Sequence, residues 1–340
     1  MRKRLFLSLL IMLGSISAGA QYSMEYLNRG LVATPTSDGK VFISWRLLGD
    51  EPYNTAFNLY KTTNGRSIKL NAKPIEDVTS FLDEQHDSMQ ANVYTVKKIT
   101  KAKAKEDGNS TFLLKAQAAG HLSIPLQTPA GYAVNDASVG DMDGDGSYEI
   151  VLHMAGKGAD NSRAGFTDPP IFQCYKLDGS MLWQINLGKN IREGAHYTQF
   201  MVYDLDGDGR AEIAMKTADG TIDGRGQVIG DSSKDHRNQR GYILSGPEYL
   251  TVFNGMTGAA MSTVSYDPPR HPDTENPSMD QLKQVWGDGY GNRVDRFLAC
   301  VAYLDGVHPS LVMCRGYYTR TVLAAWDYKN GKLSKRWTFD

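Results

Sequence analysis

Short runs of alternating apolar and polar residues characterise the N-terminal third of the chain. Residues 41–45, 57–61 and 93–96 alternate in this way, and turn-forming residues such as those at 63–65 separate the runs. A period of two places successive side chains on opposite faces of a strand. The pattern predicts an all-β fold that begins with an antiparallel sandwich of the fibronectin-III type over residues 21–115, with Trp45 as a core residue.

The remaining residues, 116–340, contain one nine-residue acidic segment twice. Residues 141–149 read DMDGDGSYE, and residues 204–212 read DLDGDGRAE. Each copy is followed by an apolar, strand-like run rather than by a helical pattern. Aspartates at alternate positions, followed by a further acid, supply a shell of hard oxygen ligands, which suits Ca²⁺. The segments therefore predict calcium loops within β-hairpins.

Each predicted calcium loop contributes three aspartates, one backbone carbonyl and a closing glutamate. Gly146 and Gly209 fall where the backbone must turn sharply. The loop resembles the start of an EF-hand, but its last acid comes earlier than the glutamate of that motif. The alternative is an Asp-Gly hairpin turn without metal, and the identical spacing of two copies favours the metal. The predicted ligands are Asp141, Asp143, Asp145, Ser147 and Glu149 in the first loop, and Asp204, Asp206, Asp208, Arg210 and Glu212 in the second.

The acidic segments belong to longer repeats of strand, turn and strand, and a third copy begins at residue 301. In the third copy, other residues replace three of the acids, namely Tyr303, Val307 and Leu311. We expect its hairpin to persist without an ion. Radial repetition of short strands with Gly/Asp turns is typical of a β-propeller. At about 40 to 50 residues per blade and with long insertions, residues 116–340 supply about three to four blades.

The N-terminus has the pattern of a secretory signal peptide over residues 1–20. A basic start at residues 2–4 precedes an apolar core at residues 5–13, and the small residues 18–20 provide a cleavage site before Gln21. The apolar run is too short to span a bilayer, and no other segment is suited to do so. We therefore expect a secreted or periplasmic protein.

Composition narrows the choice of partners only slightly. The chain has 37 basic and 38 acidic residues and a net charge of −1, without a basic tract, so a nucleic-acid partner is not indicated. The three cysteines allow at most one disulfide, with Cys300 and Cys314 as the candidates across a hairpin. Buried free thiols are the favoured alternative.

Several longer motifs resemble the secreted rhamnogalacturonan lyases of polysaccharide lyase family 11. They lie at residues 135–141, 194–200, 241–250, 286–288, 290–296 and 315–320. The resemblance covers the whole predicted mature chain. It implies a small N-terminal sandwich followed by an eight-bladed propeller that binds Ca²⁺. It also implies cleavage of the rhamnose–galacturonate bond of the pectic polysaccharide rhamnogalacturonan I by β-elimination.

The chain resembles the N-terminal half to two-thirds of that family's sequences. Part of the family's sugar-binding and catalytic residues would therefore lie beyond these blades, and we expect little activity from the 340-residue chain alone. An open propeller also leaves strand edges unpaired, which favours self-association.

The implied chemistry requires a base for the C5 proton and cations near the uronate carboxylate. Alignment of the three repeats places His153, Lys216 and Arg315 at one equivalent position, at the end of the strand that follows the loop. We predict Lys216 as a catalytic residue and His153 and Arg315 as substrate-binding residues. The alternative is that these are solvated strand ends.

Three further residues complete the predicted site. Asn135 is the position that, by resemblance, contacts sugar hydroxyls. Asp136 precedes Asp141 by five residues, too far in an extended strand to share its ion. Either the chain curls there, or Asp136 serves a second calcium or only a turn. His196 is a candidate base by residue type, with a hydrogen-bonded structural histidine as the alternative.

The main alternative function is a non-catalytic calcium-binding propeller that binds carbohydrate or protein, since similar acidic loops occur in adhesive propellers. A second alternative is an inactive remnant of a lyase. The motifs that carry the family resemblance favour the lyase.

Overall fold

The computed structural model describes residues 23–99 and 106–340. The predicted signal peptide, residues 1–20, and its cleavage site before Gln21 lie outside the described residues. Within those ranges β-strands form the framework, and α1 (Met279–Trp286) is the single α-helix. The all-β class is confirmed. None of the described helical structure has the length and hydrophobicity that crossing a membrane requires.

Two antiparallel sheets form the N-terminal region. Their strands occur in the spatial orders β1-β2-β5 and β4-β3-β6-β7. The bounds are β1 (Val32–Pro35), β2 (Val41–Ser44), β3 (Ala56–Thr63), β4 (Arg66–Lys69), β5 (Ser80–Asp83), β6 (Asn92–Ile99) and β7 (Glu106–Leu114).

The two N-terminal sheets share one apolar core. Ile43 of the first sheet and Leu59 and Val96 of the second are fully buried in it. Buried and less buried residues alternate along β3 and β6, as the period of two predicts. Trp45 is 5% exposed and packs edge-to-face on Phe57, with ring centroids 5.6 Å apart. The core position predicted for Trp45 is confirmed.

Fourteen strands follow within residues 106–340. Their bounds are β8 (Ala133–Gly140), β9 (Glu149–Ala155), β10 (Ile171–Tyr175), β11 (Met181–Asn186), β12 (Phe200–Tyr203), β13 (Glu212–Ala218), β14 (Thr221–Ile222), β15 (Val228–Ile229), β16 (Glu248–Phe253), β17 (Ala260–Ser265), β18 (Phe297–Ala302), β19 (Ser310–Arg315), β20 (Val322–Lys329) and β21 (Lys332–Phe339). They build three four-stranded antiparallel units, which we call meanders 1, 2 and 3: β8-β9-β10-β11, β12-β13-β16-β17 and β18-β19-β20-β21.

Successive meanders pack face to face. Phe172 of meander 1 and Ile213 of meander 2 belong to one buried cluster, and Leu250 of meander 2 shares another with Leu311 of meander 3. The second strands, β13 and β19, are buried at every residue because each is covered on both faces. The hairpin predicted for the third repeat is confirmed, since β18 and β19 pair antiparallel with Val301 opposite Leu311.

Long insertions between the strands lie at the ends of the meanders. The β14–β15 hairpin interrupts meander 2 between β13 and β16, yet it extends the sheet of meander 1 by pairing Ile222 with Asn186. Helix α1 precedes β18; Ser278 and Gln281 cap its first turn, and Gly287 ends it at φ 90°. The long insertions expected within residues 116–340 are confirmed.

The cysteines are free thiols in this fold. Strand β18 places Leu298 opposite Cys314 and Cys300 opposite Val312, so the two cysteines are out of register by two residues. This register corrects the expectation that they face each other across the hairpin. Cys174 and Cys314 are buried as expected for free thiols, whereas Cys300 is exposed.

The sandwich contains a buried ion pair whose removal is a test of the fold. Lys61 Nζ lies 2.7 Å from Asp83 Oδ2, and the Tyr94 hydroxyl donates to the same oxygen at 2.8 Å. Asp83→Ala leaves the buried lysine without its counter-charge, although the Gln85 carbonyl still accepts from it at 2.6 Å, and leaves the buried phenol without its acceptor. We expect a loss of about 3 to 5 kcal/mol in the free energy of unfolding of the sandwich.

Urea unfolding followed by circular dichroism measures this loss. Asp38→Ala is the matched control, because Asp38 forms an exposed pair with Lys40 at 3.1 Å, and its effect on stability should be much smaller. Equal stabilities for the two variants would contradict the assignment.

Candidate functional site

The two acidic loops connect the first and second strands of meanders 1 and 2. In the first loop, carboxylate oxygens of Asp141, Asp143 and Glu149 lie within 4.8 Å of one another. In the second loop, oxygens of the equivalent residues converge to the same degree: Asp204, Asp206 and Glu212. Each loop thus brings together three of its predicted carboxylate ligands.

Local hydrogen bonds set the shape of each loop. The Asp141 carboxylate accepts from the N–H groups of Gly144 and Gly146, both at 2.8 Å. Gly146 has φ 85° and its counterpart Gly209 has φ 91°, a left-handed conformation that a side chain would strain. Asp204 accepts the equivalent bonds in the second loop. The repeated aspartate and glycine therefore produce the same turn twice.

The other predicted ligands lie at the rim of the loops. Asp145 accepts from the Ser147 N–H at 2.8 Å, and Asp208 accepts from the Arg210 N–H at 2.9 Å, so both aspartates close local turns. Neither belongs to the three-carboxylate groups. Lys176 pairs with Asp143, and its Nζ lies 3.7 Å from Asp145.

Burial disfavours the ionised form of these carboxylates. It raises the pKa of Glu149 to about 7 and that of Glu212 to about 9, and the neighbouring aspartates add to the increase. Burial likewise raises the pKa of Asp141 and Asp204. A divalent cation would relieve this repulsion, and a donor set made only of oxygen suits Ca²⁺. The residues of both loops therefore fit the predicted ion.

Asn135 and Asp136 form a bulge in β8. Val134 pairs with Met154 and Ala137 pairs with Leu152, which leaves both bulge residues opposite His153. Asn135 and Asp136 are exposed, and Asp136 lies outside both three-carboxylate groups. The bulge presents their side chains at the end of meander 1 that is opposite the acidic loop.

A group of five charged side chains, which we call the buried charge cluster, lies at the corresponding end of meanders 2 and 3. Glu248 is at its centre and accepts Lys216 Nζ at 2.8 Å and Arg315 Nη1 at 2.9 Å. Arg270 Nη2 lies 3.1 Å from Glu248, and Asp295 lies 3.7 Å from Arg315. Insertions supply Arg270 and Asp295, whereas the strands supply the other three.

The buried charge cluster contradicts the alternative that Lys216 and Arg315 are solvated strand ends. The Arg315 side chain is fully buried, and that of Lys216 is 11% exposed. Burial lowers the pKa of Lys216 against the opposing charge of Glu248. The three cations hold the pKa of Glu248 well below its usual value despite its burial. The charges of Lys216 and Arg315 are thus balanced within the protein.

His153 is separate from this cluster although it occupies the equivalent strand position. Its Nε2 lies 3.0 Å from Glu193 Oε2, and its ring stacks on Phe172 with centroids 5.0 Å apart. The residue is 4% exposed. The three aligned residues therefore divide into one His–Glu pair and one shared cluster.

His196 belongs to a partly exposed group at the same end of the meanders. Its Nδ1 lies 3.0 Å from the Tyr317 hydroxyl, and its side chain is 35% exposed. Burial and the nearby charge of Arg296 lower its pKa, while Asp160 opposes them in part. The neutral imidazole, which can accept a proton, is therefore favoured near pH 7.

Arg296 is the functional candidate that residue-by-residue sequence reasoning missed. Its Nη1 lies 3.5 Å from the Tyr317 hydroxyl, and its guanidinium lies 5.0 Å from the centre of the exposed Tyr318 ring. The motifs at 290–296 and 315–320 contain these residues, but nothing local to them indicates that they meet His196. We call His196, Arg296, Tyr317 and Asp160 the histidine group.

Glu248→Gln tests the buried charge cluster. The substitution leaves three buried cations without their central carboxylate, so we expect a loss of about 3 to 5 kcal/mol in unfolding free energy. Because the folded-state pKa of Glu248 lies below 4.5, this stabilisation is present above that pH and is lost as the pH falls through the lower folded-state value.

Urea unfolding at several pH values measures the effect. Glu84→Gln is the matched control, because the Glu84 side chain is 70% exposed and its nearest cation, Lys40, is 4.0 Å away. A Glu248→Gln protein as stable as the control at neutral pH would show that the cluster does not depend on this carboxylate.

Two family descriptions match the chain. Residues 22–112 match "Rhamnogalacturonan I lyases beta-sheet domain", and residues 121–340 match "Rhamnogalacturonan lyase family 11, C-terminal domain".

Two Bacillus subtilis (strain 168) enzymes are similar along nearly the whole chain. Rhamnogalacturonan exolyase YesX is 53% identical over 328 residues, covering 93% of this chain and 50% of its own length. Rhamnogalacturonan endolyase YesW is 49% identical over 359 residues, covering 100% of this chain and 54% of its own length. The chain spans about half the length of these relatives.

Solved structures agree with the sequence relationship. The crystal structure of exotype rhamnogalacturonan lyase YesX superposes with a TM-score of 0.83 at 52% identity, over 94% of this chain and 52% of that chain. A Bacillus licheniformis rhamnogalacturonan lyase PL11 gives the same TM-score at 53% identity, over 94% and 53% of the two chains.

Proposed function

Since the chain belongs to rhamnogalacturonan lyase family 11, we propose that it forms part of a calcium-dependent lyase that cleaves rhamnogalacturonan I, a pectic polysaccharide. The bond broken is the rhamnose–galacturonate linkage, and the reaction is β-elimination. The observation that carries this proposal is the similarity to two lyases across both the sandwich and the three meanders.

The finer architecture is part of the proposal. Residues 21–115 form a fibronectin-III-like sandwich, and residues 116–340 form the first blades of an eight-bladed propeller, each meander being one blade. Face-to-face packing of successive meanders supports this arrangement. Residues 1–20 act as a signal peptide, so the protein works in the periplasm or outside the cell.

Calcium is proposed at the two acidic loops. The carboxylates of Asp141, Asp143 and Glu149 would hold one ion, and their counterparts in the second loop would hold another. The ion supplies positive charge that fixes the loop and offsets the repulsion among buried acids. Asp136 is outside these groups and remains a candidate ligand of a separate ion.

The histidine group offers the chemistry that β-elimination requires. A neutral His196 is able to take up the C5 proton of galacturonate, and Arg296 supplies positive charge for the uronate carboxylate as negative charge develops. The exposed ring of Tyr318 offers a face for sugar stacking. Asn135, exposed on its bulge, has an amide that can donate to and accept from sugar hydroxyls.

Lys216, His153 and Arg315 are better suited to support than to substrate contact. Each would have to abandon a buried carboxylate partner to reach a sugar, at a cost of several kcal/mol. We therefore propose that they stabilise the backbone on which the histidine group and the bulge are displayed.

Calcium removal is expected to destabilise the protein. At a calcium concentration about 100-fold above the dissociation constant, each site contributes about 2.7 kcal/mol, so chelation should lower the melting temperature. Asp206→Asn removes a proposed ligand of the second site, so chelation should lower the melting temperature of this variant less than that of the wild type. Asp305→Asn in the third repeat is the control, and chelation should lower its melting temperature as much as that of the wild type. Differential scanning fluorimetry with and without chelator compares the three proteins. A melting temperature insensitive to chelation would contradict calcium binding.

The lyase reaction is tested by incubating rhamnogalacturonan I with the longest natural protein that contains this sequence and analysing the products. We expect products with a 4,5-unsaturated galacturonate, seen as new ultraviolet absorbance. His196→Ala should lower kcat by about 100-fold or more, whereas His121→Ala, at an exposed histidine, should not. The pKa of His196 is lowered from 6.5, so its neutral base form persists below pH 6.5. The value of kcat/KM should therefore begin to decrease only when the pH is lowered below 6.5.

Saturated products would indicate hydrolysis and contradict β-elimination. Polysaccharide binding without any bond cleavage would favour the alternative of a non-catalytic calcium propeller. A normal rate for His196→Ala would transfer the role of base to another residue.

A further inference from the structure

The segment that leads into the sandwich, residues 23–28, runs along the acidic loops. The Asn28 backbone N–H donates to the Gly146 carbonyl at 2.7 Å, and its Nδ2 donates to Ser147 Oγ at 2.9 Å. These bonds contact the first loop at its glycine turn and at the residue predicted to supply a carbonyl ligand. Asn28 therefore restrains the part of the loop that must face the ion.

Glu25 contacts the first loop at its other end. Its Oε1 accepts a hydrogen bond from the Asp141 N–H at 2.9 Å. A Cβ added at Gly140 would lie 3.1 Å from Glu25 Oε1 and 2.6 Å from the Ala211 Cβ, so the Glu25 carboxylate lies close to both loops. Like charges in this arrangement repel one another unless a cation lies among them.

The same segment covers the second loop. The Tyr26 ring lies against Gly209, where an added Cβ would come within 2.4 Å of its Cδ2 atom. Such a contact needs glycine, because a larger residue would push the ring away. The glycine turn of the second loop therefore forms part of the surface on which residues 23–28 rest.

The segment also reaches the third repeat. The Ser23 N–H donates to the Val307 carbonyl at 3.0 Å, and the Ser23 carbonyl accepts from the Tyr303 hydroxyl at 2.6 Å. Tyr303 occupies the position of the first aspartate in the calcium loops. Where the acid is replaced, the third repeat thus contacts the segment through a neutral side chain.

Three further contacts join these parts into one network. The Ala211 N–H of the second loop donates to the Asp141 carbonyl of the first at 2.8 Å. Arg46 of the sandwich stacks on the ring of Tyr148 in the first loop at 4.5 Å and donates to the Asn28 carbonyl at 3.2 Å. The sandwich, the segment and the two loops therefore contact one another directly.

We propose that residues 23–28 are a strap whose docking is coupled to calcium binding by the two loops. The inference rests on the proposed calcium sites. An ion favours the loop conformation in which Gly146 and Gly209 present the strap's contact surface, since the carboxylates otherwise repel one another. Linkage is reciprocal, so a docked strap strengthens calcium binding by the same factor by which calcium strengthens docking.

Calorimetric calcium titration and hydrogen exchange of the whole chain test the strap. Calcium should increase the exchange protection of residues 23–28 by roughly 5-fold or more. Asn28→Ala removes the bond to Ser147 and none of the predicted metal-ligand carboxylates, yet it should weaken calcium binding by a comparable factor. Asn58→Ala, which loses only a sandwich contact to Asn71, should bind calcium as the wild type does.

A pair of substitutions at Glu25 separates positioning from folding. Glu25→Ala removes the acceptor of the Asp141 N–H and should weaken calcium binding, whereas Glu25→Gln keeps an acceptor oxygen and should restore most of it. If one of these variants does not fold, the calcium affinities of the remaining variants test the strap.

The outcomes distinguish the strap from the calcium sites. Calcium binding by the wild type with unchanged affinity in Asn28→Ala and Glu25→Ala, or strap protection that is equal with and without calcium, would overturn the strap alone. A wild-type chain that binds no calcium would overturn the proposed sites together with the strap.

Discussion

Neutralisation of buried carboxylates is the constraint on which both ends of the meanders depend. At one end, Glu248 is surrounded by cations, so its charge is balanced inside the protein. At the other end, Glu149 and Glu212 are buried beside aspartates with too little positive charge nearby. An uncompensated buried charge costs several kcal/mol. The charges of the first end are therefore balanced within the chain, whereas at the second end a cation would relieve the repulsion, and calcium is our proposal.

The balanced end also supports the group proposed for catalysis. Asp295 belongs to the buried charge cluster, and the next residue, Arg296, belongs to the histidine group. The Asn161 side chain donates to the Asp295 carbonyl, and the Gly316 N–H donates to the Arg296 carbonyl at 2.7 Å. The buried charge cluster thus adjoins the backbone from which Arg296 and Tyr317 project. Rigid support of this kind is what a preorganised site requires.

The acidic end connects the two regions of the chain. Through the strap, which leads into the sandwich, Asn28 and Glu25 form hydrogen bonds with the first loop. Arg46 and Tyr148 add one stacked contact between the sandwich and meander 1. Calcium at these loops would therefore act on the attachment of the sandwich as well as on the hairpins. The two proposals share a physical origin, because both follow from the charge of the loops.

The sequence alone determined the features that a few consecutive residues encode. A period of two predicted the strands around Trp45. The identical spacing of acidic residues in segments 141–149 and 204–212 predicted two equivalent hairpin loops, and in each of them carboxylates converge. Alignment of the repeats also placed Lys216 and Arg315 at one strand position. Only the tertiary structure decided their partners, because Glu248, Arg270 and Asp295 come from other strands and insertions. His196 likewise meets Tyr317 across 121 residues of chain. Strand period and turn chemistry are local, whereas the neutralisation of a buried charge depends on which distant segments pack together.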